Sequence, residues 1–153
     1  MNNITIKKMN SNDTIPYDLL YLADPSIDMV ERYISEGECH IAIVKNETVG
    51  VYLLSRKSLD TLEIVNIAVR ESCQNTGIGK LLVENAVNIS KSKGACYLEV
   101  GTGNSSISQL AFYQKCGFRI IGVDVDFFKN NYSEKIVENG IECLDMIRLR
   151  MNL

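Results

Sequence analysis

Residues 74–80, with the sequence QNTGIGK, bring two glycines together with amide, hydroxyl and amine side chains. They follow an apolar run and precede an amphipathic pattern typical of a helix that begins at Ile78. The first N–H groups of a helix are unpaired and partly positive, and glycine exposes them to an anion because it has no Cβ atom. The segment therefore predicts a pyrophosphate site formed by Gln74, Asn75, Thr76, Gly77, Ile78, Gly79 and Lys80.

Two better-known phosphate motifs do not fit this segment. A P-loop requires G-x-x-x-x-G-K-[ST], but Gln74 occupies the first glycine position and Leu81 the hydroxyl position. A dinucleotide fingerprint requires G-x-G-x-x-G, and Leu82 replaces its third glycine. Two interpretations stay open: a Q-x-x-G-x-G anion loop, or glycines at positions 77 and 79 that only shape a turn.

The composition is that of one soluble globular domain. The chain has 153 residues, of which 46% are hydrophobic and 23% are charged. A net charge of −3 argues against broad binding to nucleic acid or to anionic membranes, which favour a basic surface. The first ten residues lack the apolar core of a signal peptide, and no apolar run approaches about 18 residues. We therefore predict a cytoplasmic protein.

The five cysteines and the single histidine are interpreted as structural residues. The cysteine count is odd and no C-x-x-C pair occurs, which favours small buried thiols in a reducing compartment over disulfides. Because His40 is the one histidine, the sequence predicts no metal site. Cys116, beside Gly117, is interpreted as a packing residue rather than a nucleophile.

A mixed α/β framework is needed to position these groups. The residue patterns predict the order strand, helix, helix, three strands, helix, strand, helix and two strands. The three consecutive strands, which end with TLEIVNIAVRE, are predicted to be antiparallel. The unit from Leu62 to Val100 is predicted to be a right-handed parallel crossover around a helix from about Ile78 to Lys93. The last two predicted strands are FRIIGVDVDFF and ECLDMIRLRM.

Two linked motifs resemble the GNAT superfamily of N-acetyltransferases. NIAVRESCQNTGIGKLLVENA is similar to the acetyl-CoA-binding motif of that superfamily, and NSSISQLAFYQKCGFRIIG is similar to its second motif. The two occur in the expected order within residues 63–122. The resemblance implies one GNAT-like α/β domain over residues 1–153. Its central sheet would be mixed and mostly antiparallel, with about seven strands, about four flanking helices and a V-shaped split between strands four and five.

The resemblance also implies where acetyl-CoA binds. The pyrophosphate would bind the loop of residues 74–80. The pantetheine arm would pair like an added strand with the main chain of three residues, Ile67, Ala68 and Val69. In the second motif this chain departs from the family pattern, because the usual asparagine position holds Ser106 and Asn104 lies two residues earlier. A contact with the pantetheine arm is therefore expected from Asn104 or Ser106, without a choice between them.

Tyr113 and Glu63 are the catalytic residues that the resemblance implies. Tyr113 matches the tyrosine that faces the thioester sulfur, and a phenol of pKa about 10 can protonate the leaving thiolate. Glu63 lies where some family members carry a catalytic glutamate, and it is the predicted base, acting directly or through a water. Strand alternation predicts that its side chain shares a face with Val65 and Ile67. The main-chain N–H of Val69 is the family's usual donor to the carbonyl oxygen.

The predicted activity is transfer of an acetyl group from acetyl-CoA to a primary amine, on a small molecule or a peptide, by direct attack in a ternary complex. The alternatives are a sensor that binds acyl-CoA without catalysis and a protein N-terminal acetyltransferase. Residues 127–140 are interpreted as a substrate-side loop or a homodimer contact. Four carboxylates would favour a cationic amine if they line the open end of the slot, or else form solvated strand faces: Asp124, Asp126, Glu142 and Asp145.

Overall fold

The chain forms five α-helices, nine strands and a short 3₁₀ helix at Glu71–Cys73 within residues 3–153, which the computed structural model describes. Met1 and Asn2, part of the segment expected to lack a signal peptide, lie outside this range. No helix within it combines the length and apolarity that a membrane span needs. The helices are α1 (Tyr17–Ala23), α2 (Ile27–Glu36), α3 (Ile78–Ser92), α4 (Ile107–Lys115) and α5 (Phe127–Asn131). The strands are β1 (Thr5–Lys8), β2 (Glu38–Val44), β3 (Glu47–Arg56), β4 (Thr61–Val69), β5 (Tyr97–Gly103), β6 (Arg119–Asp124), β7 (Val137–Glu138), β8 (Ile141–Glu142) and β9 (Met146–Asn152).

The main sheet has seven strands in the order β1-β2-β3-β4-β5-β9-β6. Strands β1 to β4 pair antiparallel, and β4 pairs in parallel with β5 across the α3 crossover. Strand β9 inserts between β5 and β6 and is antiparallel to both. The predicted mixed, mostly antiparallel sheet of about seven strands is confirmed.

The sheet opens between β4 and β5. The last paired residues are Ile64 and Val100, although β4 continues to Val69. Val65 has no Cα partner on β3, so it forms a β-bulge that bends β4 where the two strands separate. The predicted V-shaped split is confirmed, and it leaves one edge of β4 unpaired beyond the bulge.

Helices cover both faces of the sheet and create two buried clusters. On one face, α3 and α4 pack around a first cluster in which Leu82, Ala86 and Leu98 are fully buried. On the other face, α1 and α2 pack around a second cluster with Leu20 and Val30 at its centre. This burial from two sides explains why the central strands are apolar on both faces.

Leu82 is expected to matter far more for stability than its neighbour Leu81. Leu82 is fully buried and its Cδ1 lies 3.0 Å from the point where a Cβ on Gly50 would sit, whereas Leu81 is 39% exposed. Leu82→Ala should lower the free energy of unfolding by about 2–5 kcal/mol because it leaves a cavity. Leu81→Ala, the matched control, should cost less than about 1 kcal/mol. Urea denaturation measures both values, and equal losses would contradict this account of the first cluster.

The segment after β6 differs from the prediction. The sequence predicts one strand through Phe128, but β6 ends at Asp124 and α5 begins at Phe127. Asp126 adopts a left-handed conformation with φ of 62°, which ends the extended chain. The α5 helix is a fifth helix where about four were expected, and the antiparallel hairpin β7–β8 follows it.

Candidate active site

The loop between β4 and α3 is held in shape by its own side chains. Gln74 Nε2 donates to the Val69 carbonyl at 3.0 Å, and Thr76 Oγ1 donates to the Cys73 carbonyl. Asn75 and Gly77 both have positive φ angles, 61° and 92°, which turn the chain sharply into the helix. The glycine at position 77 therefore does shape a turn, and the turn points the start of α3 at the split.

The start of α3 has features that suit an anion. Gly77 is the N-cap and supplies no side-chain cap, and the first turn contains no acidic residue. The first helical bond runs from Leu81 N–H to the Gly77 carbonyl at 3.1 Å, so the N–H groups of residues 78–80 have no partner within the described chain. A Cβ on Gly79 would lie 3.2 Å from Phe112 Cζ and 3.9 Å from Val69 Cγ2. Gly79 thus keeps a narrow space open between α3, α4 and β4.

A cavity of about 610 Å³, here called the coenzyme cavity, lies along this loop and the open edge of β4. It contains nine of the predicted cofactor-binding residues. Thr76 and Ile78 do not line it, because the Thr76 hydroxyl bonds within the loop and the Ile78 side chain is buried in the first cluster. Its lining consists of Leu22, Ala23, Ile67, Ala68, Val69, Gln74, Asn75, Gly77, Gly79, Lys80, Ser108, Gln109, Phe112 and Tyr113.

Five lining residues were missed from the sequence. Gln109 lies one helical turn before Tyr113 on α4, and this i,i+4 spacing is a signal that could have found it. Phe112 could be identified only from the structure, in which α4 brings its ring close to Gly79. The remaining missed residues are Leu22, Ala23 and Ser108.

The open edge of β4 presents main-chain groups to the coenzyme cavity. Arg70 N–H donates to the Val49 carbonyl on β3 at 2.8 Å. Main-chain groups alternate sides along a strand, so the Ala68 N–H also faces β3 while those of Ile67 and Val69 face the split. The Val69 carbonyl is consistent with this alternation, because it accepts a hydrogen bond from the Gln74 side chain, outside the sheet. Two N–H groups are therefore placed to bind an extended chain in the split.

A second cavity of about 270 Å³, here called the acceptor cavity, adjoins the coenzyme cavity and is also lined by Tyr113. The two cavities share five lining residues, and Tyr113 is the one among them that carries an acidic hydroxyl. The side chain is 5% exposed, and its hydroxyl has no hydrogen-bond partner among residues 3–153. Burial raises the pKa of the Tyr113 phenol well above its ordinary value. The phenol therefore stays protonated at neutral pH at the junction of the cavities.

Asn104 and Ser106 make different hydrogen bonds, and neither residue lines the coenzyme cavity. The Asn104 amide oxygen accepts from the N–H groups of Leu144 and Asp145 at 2.9 and 3.0 Å, which fixes the approach to β9. The Ser106 hydroxyl donates to Glu138 Oε1 at 3.0 Å, and Ser106 lines the acceptor cavity. A contact with the pantetheine arm stays a prediction for both residues.

Glu63 is enclosed in an ion-pair network rather than open to a cavity. Arg148 Nη1 lies 3.4 Å and Lys57 Nζ 4.0 Å from its carboxylate, and Glu63 is absent from the lining of both cavities. Burial raises the pKa of Glu63 above its ordinary value, against the opposing effect of both cations. Glu63 shares the α1–α2 face with Val65, as expected, but the expectation for Ile67 is wrong. The bulge shifts the alternation, so Ile67 packs against the first cluster and Val65 against the second.

The four carboxylates considered either for the open end of the slot or as solvated strand faces do not line the acceptor cavity. Asp124 accepts from Arg148 Nε at 2.7 Å, and Asp145 Oδ1 accepts from the Asp126 N–H at 2.8 Å. Glu142 is exposed on the β7–β8 hairpin. The carboxylates that do line the cavity are Asp24 and Glu138, which sequence reasoning missed.

His40 and most cysteines lie away from both cavities. His40 is 3% exposed, stacks on Tyr52 at 4.7 Å between ring centroids and contacts Glu38 at 3.3 Å, in line with a structural role. All five cysteines are free thiols. The expectation that they are buried is wrong for Cys96, which is exposed just before β5, and holds fully only for Cys39 and Cys143.

Comparison with known proteins agrees with this geometry. The chain matches the model of the acetyltransferase (GNAT) family over residues 8–118. It is 54% identical over 143 residues to the uncharacterized N-acetyltransferase YvbK of Bacillus subtilis, which covers 94% of this chain and 92% of YvbK. A GNAT family acetyltransferase from Elizabethkingia anophelis with acetyl-CoA bound has a TM-score of 0.97 and 50% identity, with 99% of each chain covered. A Bacillus subtilis acetyltransferase in complex with CoA has a TM-score of 0.93 and 51% identity, again with 99% of each chain covered. The chain therefore belongs to the GNAT family of acetyltransferases.

Proposed function

We propose that this protein transfers an acetyl group from acetyl-CoA to a primary amine by direct attack within a ternary complex. The observation that carries the proposal is the position of Tyr113, whose side chain lines both the coenzyme cavity and the acceptor cavity. The two substrates would meet at this residue. The acetyl-CoA bound to the Elizabethkingia anophelis relative supports the choice of acyl donor.

The coenzyme cavity suits the chemistry of acetyl-CoA. Its lining contains Lys80 and no carboxylate, and the unpaired N–H groups at the start of α3 favour a pyrophosphate. The Val69 N–H on the open edge of β4 would pair with an amide group of the pantetheine arm. The N–H of Ile67, a residue that lines both cavities as Tyr113 does, would then face the thioester. The thioester would then lie beside Tyr113, which lines the same cavity.

The reaction needs one attack, one departure and two proton transfers. The lone pair of the neutral amine attacks the thioester carbonyl carbon, a C–N bond forms, and the carbonyl oxygen gains negative charge facing the Ile67 N–H. The C–S bond then breaks, and the thiolate takes the phenolic proton of Tyr113. The proton lost by nitrogen passes to a base. Glu63 is the proposed base, and it would act through a water because it lines neither cavity.

Glu63→Gln tests the base. A base works only when deprotonated, so the rate should rise with pH through the pKa of Glu63, which burial raises above its ordinary value. We expect Glu63→Gln to lower kcat by about an order of magnitude and to abolish this acidic limb of the pH–rate profile. Glu99→Gln is the control, because Glu99 is a neighbouring buried carboxylate paired with Lys57 and Arg150. A Glu63→Gln profile that keeps its acidic limb would rule out the base role.

The amine requirement is tested by measuring thiol release from acetyl-CoA with a panel of free amines and short peptides. We expect release with free amines, at a rate that depends on the amine added. Binding of acetyl-CoA without turnover on any amine would favour an acyl-CoA sensor. A strong preference for peptide α-amines would favour N-terminal acetylation of proteins instead.

A further inference from the structure

The two cavities differ in the charge of their walls. The coenzyme cavity contains Lys80 and no carboxylate, whereas the acceptor cavity contains Asp24 and Glu138 and no lysine, arginine or histidine. A small cavity that holds two carboxylates and no cation attracts positively charged molecules and repels anions. The charges of the lining residues thus favour an anionic coenzyme in the coenzyme cavity and a cationic acceptor in the acceptor cavity.

One of the two carboxylate oxygens of Glu138 accepts no hydrogen bond within the described residues. Its Oε1 accepts from the hydroxyls of Ser106 at 3.0 Å and Ser105 at 3.3 Å, which orient the carboxylate. Its Oε2 has no donor within residues 3–153. The Asp24 oxygens, in contrast, both accept hydrogen bonds, from Ser26 N–H at 3.0 Å and from Tyr132 at 2.8 Å. Glu138 is therefore the carboxylate that can bind a cationic group directly.

Asn66, which lines the same cavity, has a side-chain oxygen without a donor within the described residues. It lies just after the β4 bulge, is 4% exposed and lines the acceptor cavity. Its Nδ2 donates to the Leu20 carbonyl at 3.0 Å, but its Oδ1 has no partner within the described chain. A buried amide oxygen without a donor costs free energy, so an N–H or O–H of a bound molecule that reached it would be stabilising.

Aromatic rings complete the acceptor cavity. Phe128 and Tyr132 lie 5.3 Å apart between ring centroids, and Tyr33 lines the wall contributed by α2. The faces of such rings attract ammonium groups, and their apolar surface suits a short carbon chain. The cavity thus offers a carboxylate, an amide oxygen and aromatic walls within about 270 Å³.

We propose that the acceptor is a small aliphatic diamine, or another primary amine with a second cationic group a few bonds away. This inference rests on the proposed function. The reacting amine is neutral and donates an N–H to Asn66 Oδ1, which leaves its lone pair directed at the thioester. A neutral amide oxygen suits this task because it does not hold the amine in its ammonium form as a carboxylate would. The second, charged amine binds Glu138 and lies against the aromatic walls.

The test compares 1,4-diaminobutane with butylamine, which has the same carbon chain and no second amine. The diamine should have a kcat/KM at least about tenfold higher, the scale of one charge-assisted hydrogen bond. Glu138→Gln should bring the diamine-to-monoamine ratio close to one. Glu142→Gln is the matched control, because Glu142 lies on the same hairpin and lines neither cavity. Its ratio should equal that of the unmodified chain.

The outcomes separate this inference from the proposed function. Equal kcat/KM values for the two amines, or a ratio unchanged by Glu138→Gln, would overturn the diamine assignment and leave acetyl transfer intact. If none of the amines tested releases thiol from acetyl-CoA, the proposed function is overturned. In that case calorimetry on the CoA-bound protein still decides the recognition: tighter binding of 1,4-diaminobutane than of butylamine supports the assignment, and equal binding overturns it.

Discussion

Gly79→Val is expected to weaken acetyl-CoA binding strongly while leaving the fold intact. A Cβ at this position would already lie 3.2 Å from the Phe112 ring, and the two γ-methyl groups of valine would fill the space between α3, α4 and β4. They would also cover the N–H groups at the start of α3 that are proposed to bind the pyrophosphate. We expect the dissociation constant of acetyl-CoA, measured by calorimetry, to rise by on the order of 100-fold.

Gly122→Val is the matched control for this prediction. Gly122 lies on the exposed edge strand β6, and a Cβ there would have no neighbour within 4 Å. The control should fold and bind acetyl-CoA like the unmodified chain. Circular dichroism on both variants separates loss of binding from loss of structure. If Gly79→Val folds and binds acetyl-CoA with unchanged affinity, the coenzyme does not use the start of α3.

The anion loop could be predicted from the sequence because its determinants are local. Whether Gly77 can turn the chain and whether Ile78 begins a helix depend on residues a few positions apart. The parallel crossover followed from the order of elements, since a helix between two buried strands has one favoured handedness. The seven-stranded sheet and its split were predictable from the resemblance, which covers both strands of the split.

The acceptor side could not be predicted in the same way, because its residues come from distant segments. Asp24 follows α1 and Glu138 lies on the β7–β8 hairpin, yet both line one small cavity. Periodicity carries no information on such long-range contacts. The prediction that Glu63, Val65 and Ile67 share one face of β4 was partly wrong for a related reason. The extra residue Val65 forms a bulge that reverses the alternation, so Ile67 lies on the opposite face. Phe127 and Phe128 favour a strand by type, but they lie in α5, where Phe128 packs against both Phe127 and Tyr132.

Tyr113→Phe is expected to lower kcat for acetyl transfer by about 100-fold, the range typical of a lost general acid. Removal of the hydroxyl leaves the departing thiolate without a proton donor where the two cavities meet. The hydroxyl has no hydrogen-bond partner within residues 3–153, so phenylalanine keeps the packing against Phe118 and the fold. The KM for acetyl-CoA should stay within about twofold, because an interaction made only in the transition state affects kcat and not binding.

Tyr97→Phe is the control for Tyr113→Phe. Tyr97 lies at the start of β5 under the guanidinium of Arg150, 4.3 Å from its ring centroid, and lines neither cavity. Steady-state thiol release with a fixed amine should show the loss of turnover in Tyr113→Phe alone. Turnover unchanged by Tyr113→Phe would mean that the thiolate departs without protonation by this phenol. Tyr113 would then only separate the two cavities, and water in the acceptor cavity would be left as the source of the proton.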